Sequence, residues 1–271
     1  MASQDDPSAS RFKGFCFDYD RFRPTPPAEI MELAAGWTGA GEVELVVDLG
    51  CGTGLSTRPW ATRSRSVIGI DPSEDMLTAA RAATSGSNIT YELGTGQSSG
   101  LGDSCADIVT CSSAAHWMEP KPTVDEITRV LKRNGILVVY GHYYPVFLQS
   151  PALTKFYERW RKNLDELEYR TEKQSAKKWP LTELYAAVHA CGLFEYSRRH
   201  YMHSRLSWSA EEVEGFFRAH AGVPFLLGKG YDDDRLLLKE LAQFLTMRNG
   251  PERFDMHFTY SVFIAARTIV Q

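Results

Sequence analysis

The sequence has few cysteines, and none of them stands in a metal-binding arrangement. Its 271 residues include five cysteines, an odd number, and no two of them form a Cys-x-x-Cys pair. Such spacing gives neither a disulfide framework nor a zinc site. Reduced thiols are therefore expected, and no metal is.

Long hydrophobic runs are missing as well. No segment approaches the roughly 18 consecutive apolar residues of a membrane-spanning helix. The first ten residues are polar and lack the apolar core of a signal peptide. The sequence therefore predicts a cytoplasmic protein without a membrane partner.

The chain also lacks a strong excess of charge of either sign. Its formal net charge is −4, and its basic residues cluster in nothing longer than pairs such as Lys177-Lys178 and Arg198-Arg199. A protein that binds nucleic acid normally carries a basic surface that neutralises phosphates. A nucleic-acid partner is therefore not expected.

The most informative segment that is present is a glycine-rich turn after an apolar run. Val46-Val47-Asp48-Leu49 leads into Gly50-Cys51-Gly52-Thr53-Gly54, which is typical of a strand that ends in a tight turn approached closely by a ligand. A second apolar run, residues 66–70, ends in Asp71. A carboxylate at the tip of the neighbouring strand can accept hydrogen bonds from ribose hydroxyls.

The glycine spacing indicates which cofactor this turn suits. A dinucleotide-binding loop reads G-x-G-x-x-G, whereas here the glycines fall at every second position, and no Gly-Lys-Ser/Thr triplet of a phosphate-binding loop follows. The pattern resembles the first motif of the class I S-adenosylmethionine-dependent methyltransferases. This resemblance implies S-adenosyl-L-methionine as cofactor and S-adenosyl-L-homocysteine as its product.

Three further segments extend the resemblance over residues 17–140. The segment from Tyr19 to Arg23-Pro24, the run 108–117 ending in His116-Trp117, and the turn 129–135 are similar to motifs of a small-molecule branch, that of the trans-aconitate and juvenile-hormone-acid methyltransferases. In the turn, Arg133 and Asn134 stand where that branch has Pro and Gly. After residue 140 only the order of the segments agrees.

The resemblance implies a set of cofactor-binding residues. Asp48 is expected to fix the loop and approach the amino group of the cofactor, and Arg23 to approach its carboxylate. Met76 packs either on the adenine or in the core, and both alternatives stay open here. The full predicted set is Tyr19, Arg23, Asp48, Gly50, Cys51, Gly52, Asp71, Pro72, Met76, Gly96, Gln97, Ser112 and Ser113.

The alternation of strand-like and helix-like segments predicts an α/β fold. Together with the resemblance it predicts a Rossmann-like methyltransferase sheet of seven strands, the last of them antiparallel, with helical lid insertions. We expect a flexible N-terminus at 1–12 and a single domain at 13–271. Within that domain, residues 13–40 would form an N-terminal lid, and residues 145–180 and 205–250 helical caps.

His116 is the candidate catalytic residue. An imidazole after the fourth strand lies at the edge of the sheet where acceptors meet cofactors, so it could remove a proton from an acceptor, although a structural role is the alternative. The predicted acceptor-binding residues are aromatic or imidazole side chains at this edge and in the caps, each of which could instead pack in the core: Trp117, His142, Tyr144, Trp160 and Phe217.

The sequence therefore predicts an enzyme that transfers a methyl group from S-adenosylmethionine to a small-molecule substrate. The expected acceptor atom is an oxygen, of a carboxylate or a hydroxyl, because the branch that the chain resembles methylates carboxylates. Three alternatives stay open. One is a cyclase or pericyclase that binds the cofactor without transferring its methyl group, and another is an N- or C-methyltransferase of a small metabolite. The third is a non-catalytic binding or regulatory module, or a methyltransferase of protein or RNA.

Overall fold

A computed structural model describes residues 16–39, 42–171, 178–246 and 252–267. The predicted flexible N-terminus, residues 1–12, and the first residues of the predicted N-terminal lid lie outside these ranges. No helix in the described ranges is both long and apolar enough to cross a membrane.

A single twisted sheet forms the centre of the molecule. Five strands run parallel in the order β3-β2-β1-β4-β5, with β1 at Val43–Leu49, β2 at Ser64–Asp71, β3 at Ile89–Leu93, β4 at Ala106–Ser112 and β5 at Leu131–His142. The strand order reverses on either side of β1. In such sheets ligands bind outside the carboxyl ends of the strands at this reversal.

The antiparallel part of the sheet follows β5. The strand β8, Phe254–Arg267, pairs antiparallel with β5 and with β7, Phe194–Trp208, while the two-residue strand β6, Val146–Phe147, also pairs with β8. Side chains alternate between buried and half-buried along the first half of β8, as its sequence predicts. The predicted class I methyltransferase sheet is therefore confirmed, and β6 is a short addition to it.

Nine α-helices are described. They are α1 (Cys16–Phe22), α2 (Glu29–Trp37), α3 (Glu74–Ala83), α4 (Pro120–Val130), α5 (Pro151–Thr171), α6 (Leu181–Ala190), α7 (Ala210–Arg218), α8 (Gly222–Gly228) and α9 (Leu238–Leu245).

Local sequence signals explain where several of these helices begin. Ser73 caps α3 by accepting a hydrogen bond from the amide of Met76, and Ser209 and Glu212 form a complete capping box on α7. Within the predicted cap at 205–250, α9 begins immediately after Leu237, whose backbone is left-handed (φ +56°). The segment after the glycine-rich turn is a series of turns with a 3₁₀ helix at Arg58–Thr62.

Two apolar clusters cover the two faces of the sheet. One includes Val47 of β1 and Val139 of β5, with side chains from α4 and α6. The other combines Val138 of β5 with aromatic side chains of the cap helices α5 and α7. The cap helices α5 and α7 therefore pack against this face of the sheet.

Candidate functional site

The glycine-rich loop is fastened to the neighbouring strand through its backbone. The amides of Gly50 and Cys51 both donate to the carbonyl oxygen of Ile70 in β2, at 2.8 and 3.0 Å. Gly50 and Gly52 have φ values of +70° and +54°, a region that other residues adopt only with strain. A Cβ on Gly50 would lie 2.5 Å from the Cβ of Ala114, whereas a Cβ on Gly52 would meet no atom within 4 Å. Gly52 therefore borders open space.

Asp71 ends β2 next to this loop. Its Oδ2 accepts from the amide of Gly52 and its Oδ1 from the amide of Ser73, each at 2.9 Å. Two carboxylate oxygens offer about four acceptor positions in all. The buried carboxylate thus fixes the loop at the edge of the open space beside Gly52.

A cavity of about 1060 Å³, including its open mouth, extends from the loop and Asp71. It follows the carboxyl ends of β1, β2 and β4 and reaches the segment after α1. With the exception of Asp48, every predicted cofactor-binding residue lines it: Tyr19, Arg23, Gly50, Cys51, Gly52, Asp71, Pro72, Met76, Gly96, Gln97, Ser112 and Ser113. One continuous cavity thus brings these residues together, and their contact with a cofactor stays a prediction.

Asp48 lies beneath the loop and is fully buried. Its Oδ2 accepts from the hydroxyls of Ser56 and Thr57 at 2.9 and 2.7 Å, while among the described residues its Oδ1 has no hydrogen-bond partner. Burial raises the pKa of this carboxyl from its usual value near 3.8 to about 7, and the two hydroxyls offset only part of that effect. Asp48 therefore fastens the segment that follows the loop.

The far end of the cavity contains one arginine and one histidine in contact. The guanidinium Nη2 of Arg23 lies 3.2 Å from Nε2 of His142, whose Nδ1 is 3.0 Å from the carbonyl oxygen of Tyr143. Since the guanidinium can only donate, Nε2 accepts and Nδ1 carries the proton. Burial and the charge of Arg23 lower the pKa of His142 to about 3, so the ring is neutral at pH 7.

Tyr260 completes this end of the cavity. Its ring packs edge-to-face against the ring of His142, with the two centroids 5.8 Å apart. The hydroxyl of Tyr260 is buried and has no hydrogen-bond partner among the described residues. The sequence analysis missed Tyr260, because the alternating pattern of β8 places it in register with core residues such as Phe258 and Val262. It also missed Pro24, Pro26 and Met118, which line the cavity too.

His116 lines a different cavity. It lies in the short 3₁₀ helix Ala115–Trp117, and its imidazole faces a second cavity beside the first, whereas the neighbouring Trp117 lines the first. Burial and the nearby charge of Lys178 lower the pKa of His116 to about 4. A role as catalytic base stays a prediction, but the structure does not bring His116 to the wall of the first cavity.

The remaining predicted acceptor-binding residues divide in the same way. His142 lines the first cavity, whereas Tyr144, Trp160 and Phe217 do not. Trp160 and Phe217 are buried in the core with ring centroids 4.6 Å apart, and Tyr144 is 54% exposed. Aromatic residues at helical spacing pack between helices more often than they line a ligand site, and here α5 and α7 pack on each other through such residues.

Comparison with known proteins shows that part of this sequence is similar to methyltransferases. The model of a family described as methyltransferase domain matches residues 47–139. An uncharacterized methyltransferase of Mycobacterium tuberculosis is 34% identical over 119 residues, which are 44% of this chain and 46% of that protein. An uncharacterized methyltransferase-like protein of Schizosaccharomyces pombe is 29% identical over 197 residues, 72% of each chain. The chain thus spans about half the length of the curated relatives that match it most strongly.

Solved structures share the fold at low sequence identity. The YcgJ protein of Bacillus subtilis superposes with a TM-score of 0.54 and 19% identity, covering 90% of this chain and 100% of that one. A phosphoethanolamine N-methyltransferase of Haemonchus contortus, solved with S-adenosylhomocysteine, gives 0.52 and 14%, covering 94% and 57%. The strand order and the solved structures show that this chain has the fold of the class I S-adenosylmethionine-dependent methyltransferases, and residues 47–139 match a family described as methyltransferase domain.

Proposed function

We propose that this protein transfers the methyl group of S-adenosylmethionine to the carboxylate of a small molecule. The observation that carries the proposal is the single cavity that joins Asp71 and the glycine loop at one end to Arg23 and His142 at the other. The loop and Asp71 would hold the nucleoside, and Arg23 an anionic group. When bound, the cofactor supplies an electrophilic methyl group, so the residues of the chain have to align the acceptor and exclude water.

The cavity suits that cofactor on two observations. Gly52 leaves open space where any other residue would place a Cβ, and the carboxylate of Asp71 accepts from the Gly52 amide beside that space and lines the same cavity. Both are what a ribose passing close to bare backbone requires. The H. contortus neighbour was solved with S-adenosylhomocysteine, the product that this reaction would leave.

The electrostatics of the far end favour an acceptor that is already an anion. Both imidazoles near the cavities, His116 and His142, have pKa values well below 7, so neither removes a proton readily at neutral pH. Arg23 forms no ion pair with any carboxylate in the described ranges, and Asp71 is the one acidic residue there that lines the cavity. A carboxylate acceptor needs no base, whereas a phenol or an amine has to lose a proton during the transfer. The charge of Arg23 would then be balanced by the carboxylate of the cofactor, as the resemblance implies.

The experiment is a transfer assay with methyl-labelled cofactor. The full chain is incubated with panels of small carboxylic acids, phenols and amines, and the labelled product is then treated with mild base. A methyl ester releases labelled methanol, whereas a methyl ether or methylamine does not. We expect base-labile label from carboxylic acids. Base-stable product alone would refute a carboxylate acceptor while keeping the methyltransferase, and turnover without label transfer would favour the cyclase alternative, which the comparisons do not support.

The role of His116 is tested by its replacement with alanine. If the acceptor is a carboxylate, we expect kcat to fall by less than about threefold, because no proton has to be removed. The measurement is kcat and KM for the carboxylate acceptor across pH 6–9. A loss of tenfold or more throughout this range, in which His116 is uncharged, would contradict this expectation and favour His116 as a base.

Gly52 gives a test of cofactor contact that is separate from folding. In Gly52→Ala the new methyl group points into the open space beside the loop, so we expect S-adenosylhomocysteine to bind about tenfold more weakly, partly through steric overlap and partly through the strain of φ +54°. The matched variant is Gly54→Ala, at φ +77°, whose Cβ would lie 2.2 Å from the hydroxyl of Tyr91. It should lower the melting temperature more than Gly52→Ala does. Equal effects of both variants on binding would contradict the assignment.

A further inference from the structure

The second cavity lies beside the first and has no role in the proposed transfer. It encloses about 930 Å³, including its open mouth, between β5, β7 and the start of α6. Ser113, Ala114 and His142 line both cavities. These three residues therefore form the boundary between the two spaces.

The polar groups of the second cavity are mainly hydrogen-bond donors and one cation. No aspartate or glutamate of the described chain lines it, whereas Arg199, His116 and Thr182 do. The guanidinium of Arg199 lies 5.0 Å from the centroid of the Tyr185 ring, hydrogen-bonds to Tyr201 and has no ion pair with a carboxylate in the described ranges. The wall of the cavity therefore includes one exposed cation that no carboxylate neutralises.

His116 adds a second polar group to this cavity. Its imidazole makes no hydrogen bond to any described residue, so one ring nitrogen can donate and the other can accept. Its low pKa keeps the ring uncharged at pH 7, which leaves Arg199 as the one full positive charge on the wall. One cation suits a ligand with a single negative charge.

Ser113, Ser261 and His142 also line this cavity, and much of the remaining wall is apolar or aromatic. Its side chains come from the 3₁₀ turn after β4, from β5 and from the first turn of α6: Ala114, Ala115, Val139, Tyr143, Pro180, Leu181 and Tyr185. Burial of an apolar body against such a wall would supply most of the binding free energy, and the guanidinium fork would orient a carboxylate.

We propose that the second cavity is a separate binding site for a small aromatic or cyclic carboxylate. Arg199 would form an ion pair with the carboxylate, and the neutral imidazole of His116 would offer a hydrogen bond in the same cavity. The site goes beyond the proposed transfer, because its ligand would be bound on the other side of Ser113 and Ala114 from the cofactor.

The test uses sodium benzoate as the probe and the full chain as the protein. Binding is measured by isothermal titration at fixed ionic strength, with benzamide as the uncharged counterpart of the same shape. The variants are Arg199→Gln and, as the matched control, Arg198→Gln, because the side chain of Arg198 stacks on Tyr196 and does not line the cavity. All titrations are repeated with saturating S-adenosylhomocysteine.

We expect benzoate to bind the wild type and Arg198→Gln equally, and to bind Arg199→Gln about fivefold more weakly, which is the effect of one partly exposed ion pair. Benzamide should bind the wild type about fivefold more weakly than benzoate does. Saturation with S-adenosylhomocysteine should leave benzoate binding in place. Three results would overturn the proposal: competition between benzoate and S-adenosylhomocysteine, equal losses in the two arginine variants, or no binding at tens of millimolar benzoate.

Discussion

Replacement of Asp71 by alanine should weaken the binding of S-adenosylmethionine by about 100-fold. The variant loses the acceptor for the ribose hydroxyls, and hydrogen bonds to a charged group contribute about 1.5–3 kcal/mol each. It also leaves the amides of Gly52 and Ser73 without the carboxylate that accepts from them in the wild type. A 100-fold loss is about 2.7 kcal/mol, so one strong contact or two weaker ones account for it.

The measurement is titration with S-adenosylmethionine and S-adenosylhomocysteine, and the matched control is Asp75→Ala. Asp75 is an exposed carboxylate in the first turn of α3, four residues further along, so its removal changes the net charge equally without touching the cavity. We expect the control to bind within a factor of two of the wild type. If a folded Asp71→Ala, verified by its melting curve, binds both nucleosides normally, Asp71 does not hold the ribose.

Asp71→Asn separates the two tasks of this side chain. Its single carbonyl oxygen can accept from one of the two amides but no longer presents two acceptor oxygens with a negative charge. We expect intermediate affinity together with a melting temperature near that of the wild type. An affinity as low as that of the alanine variant would show that charge, rather than loop anchoring, dominates.

The part of the site that sequence reasoning located is local in the chain. The glycine loop follows β1 directly, and Asp71 ends the next strand, so parallel pairing of β1 with β2 is enough to bring them together. The amides of Gly50 and Cys51 then close the loop on Ile70. The sheet order was predictable for the same reason, since alternating strands and helices leave few topologies.

The other end of the cavity depends on contacts between distant segments. Arg23 and His142 are 119 residues apart, and Tyr260 lies on the last strand. The hydrophobic periodicity of the sequence does not predict that these three side chains lie next to one another. The sequence likewise places His116 at the right edge of the sheet but cannot say which side of the Ser113–Ala114 backbone its ring faces. The chain direction changes at this boundary, because the backbone of Ser113 is left-handed with φ +52°, and a serine does not predict that conformation.

The sequence pattern alone could not predict whether the aromatic residues of the cap helices line a ligand site or pack in the core. Trp160 and Phe217 occupy helix faces that a ligand or a neighbouring helix could cover equally well by pattern. In the structure α5 and α7 cover each other, so both rings are in the core. Only the relative placement of the two helices decides between these outcomes, and that placement follows from the packing of the whole cap.

Replacement of Asp48 by asparagine should stabilise the protein strongly at pH 8 and much less at pH 5. The pKa of Asp48 is raised to about 7 in the folded state from a usual value near 3.8. Between these two pH values the folded state binds more protons than the unfolded state, so the stability of the wild type falls as the pH rises from about 4 to 7. At pH 8 the wild type bears nearly the whole free-energy cost of the buried charged carboxylate, about 4 kcal/mol.

Asparagine resembles the protonated carboxyl in shape and does not titrate. Its carbonyl oxygen can still accept from Ser56 and Thr57, as Oδ2 of Asp48 does. Urea unfolding of the cofactor-free protein at pH 5 and pH 8 measures the difference, with Asp75→Asn as an exposed control whose profile should follow the wild type. The prediction would be wrong if the stability of the wild type and of Asp48→Asn changed equally with pH, or if the variant were less stable at pH 8. Either result would show that the buried charge of Asp48 does not destabilise the folded protein.

The same variant should bind S-adenosylmethionine more weakly, although it is more stable. The amino group of the cofactor carries a positive charge, and we expect Asp48 to balance that charge directly or through water. An amide carries no charge and cannot do so. In the wild type, Oδ1 of Asp48 lacks a hydrogen-bond partner among the described residues and could accept from the amino group, and the variant loses this charged acceptor. A gain in stability coupled to a loss in affinity is the result expected where a buried charge is kept for binding rather than for folding. Titration at pH 8 measures it, and unchanged affinity would assign Asp48 to the loop alone.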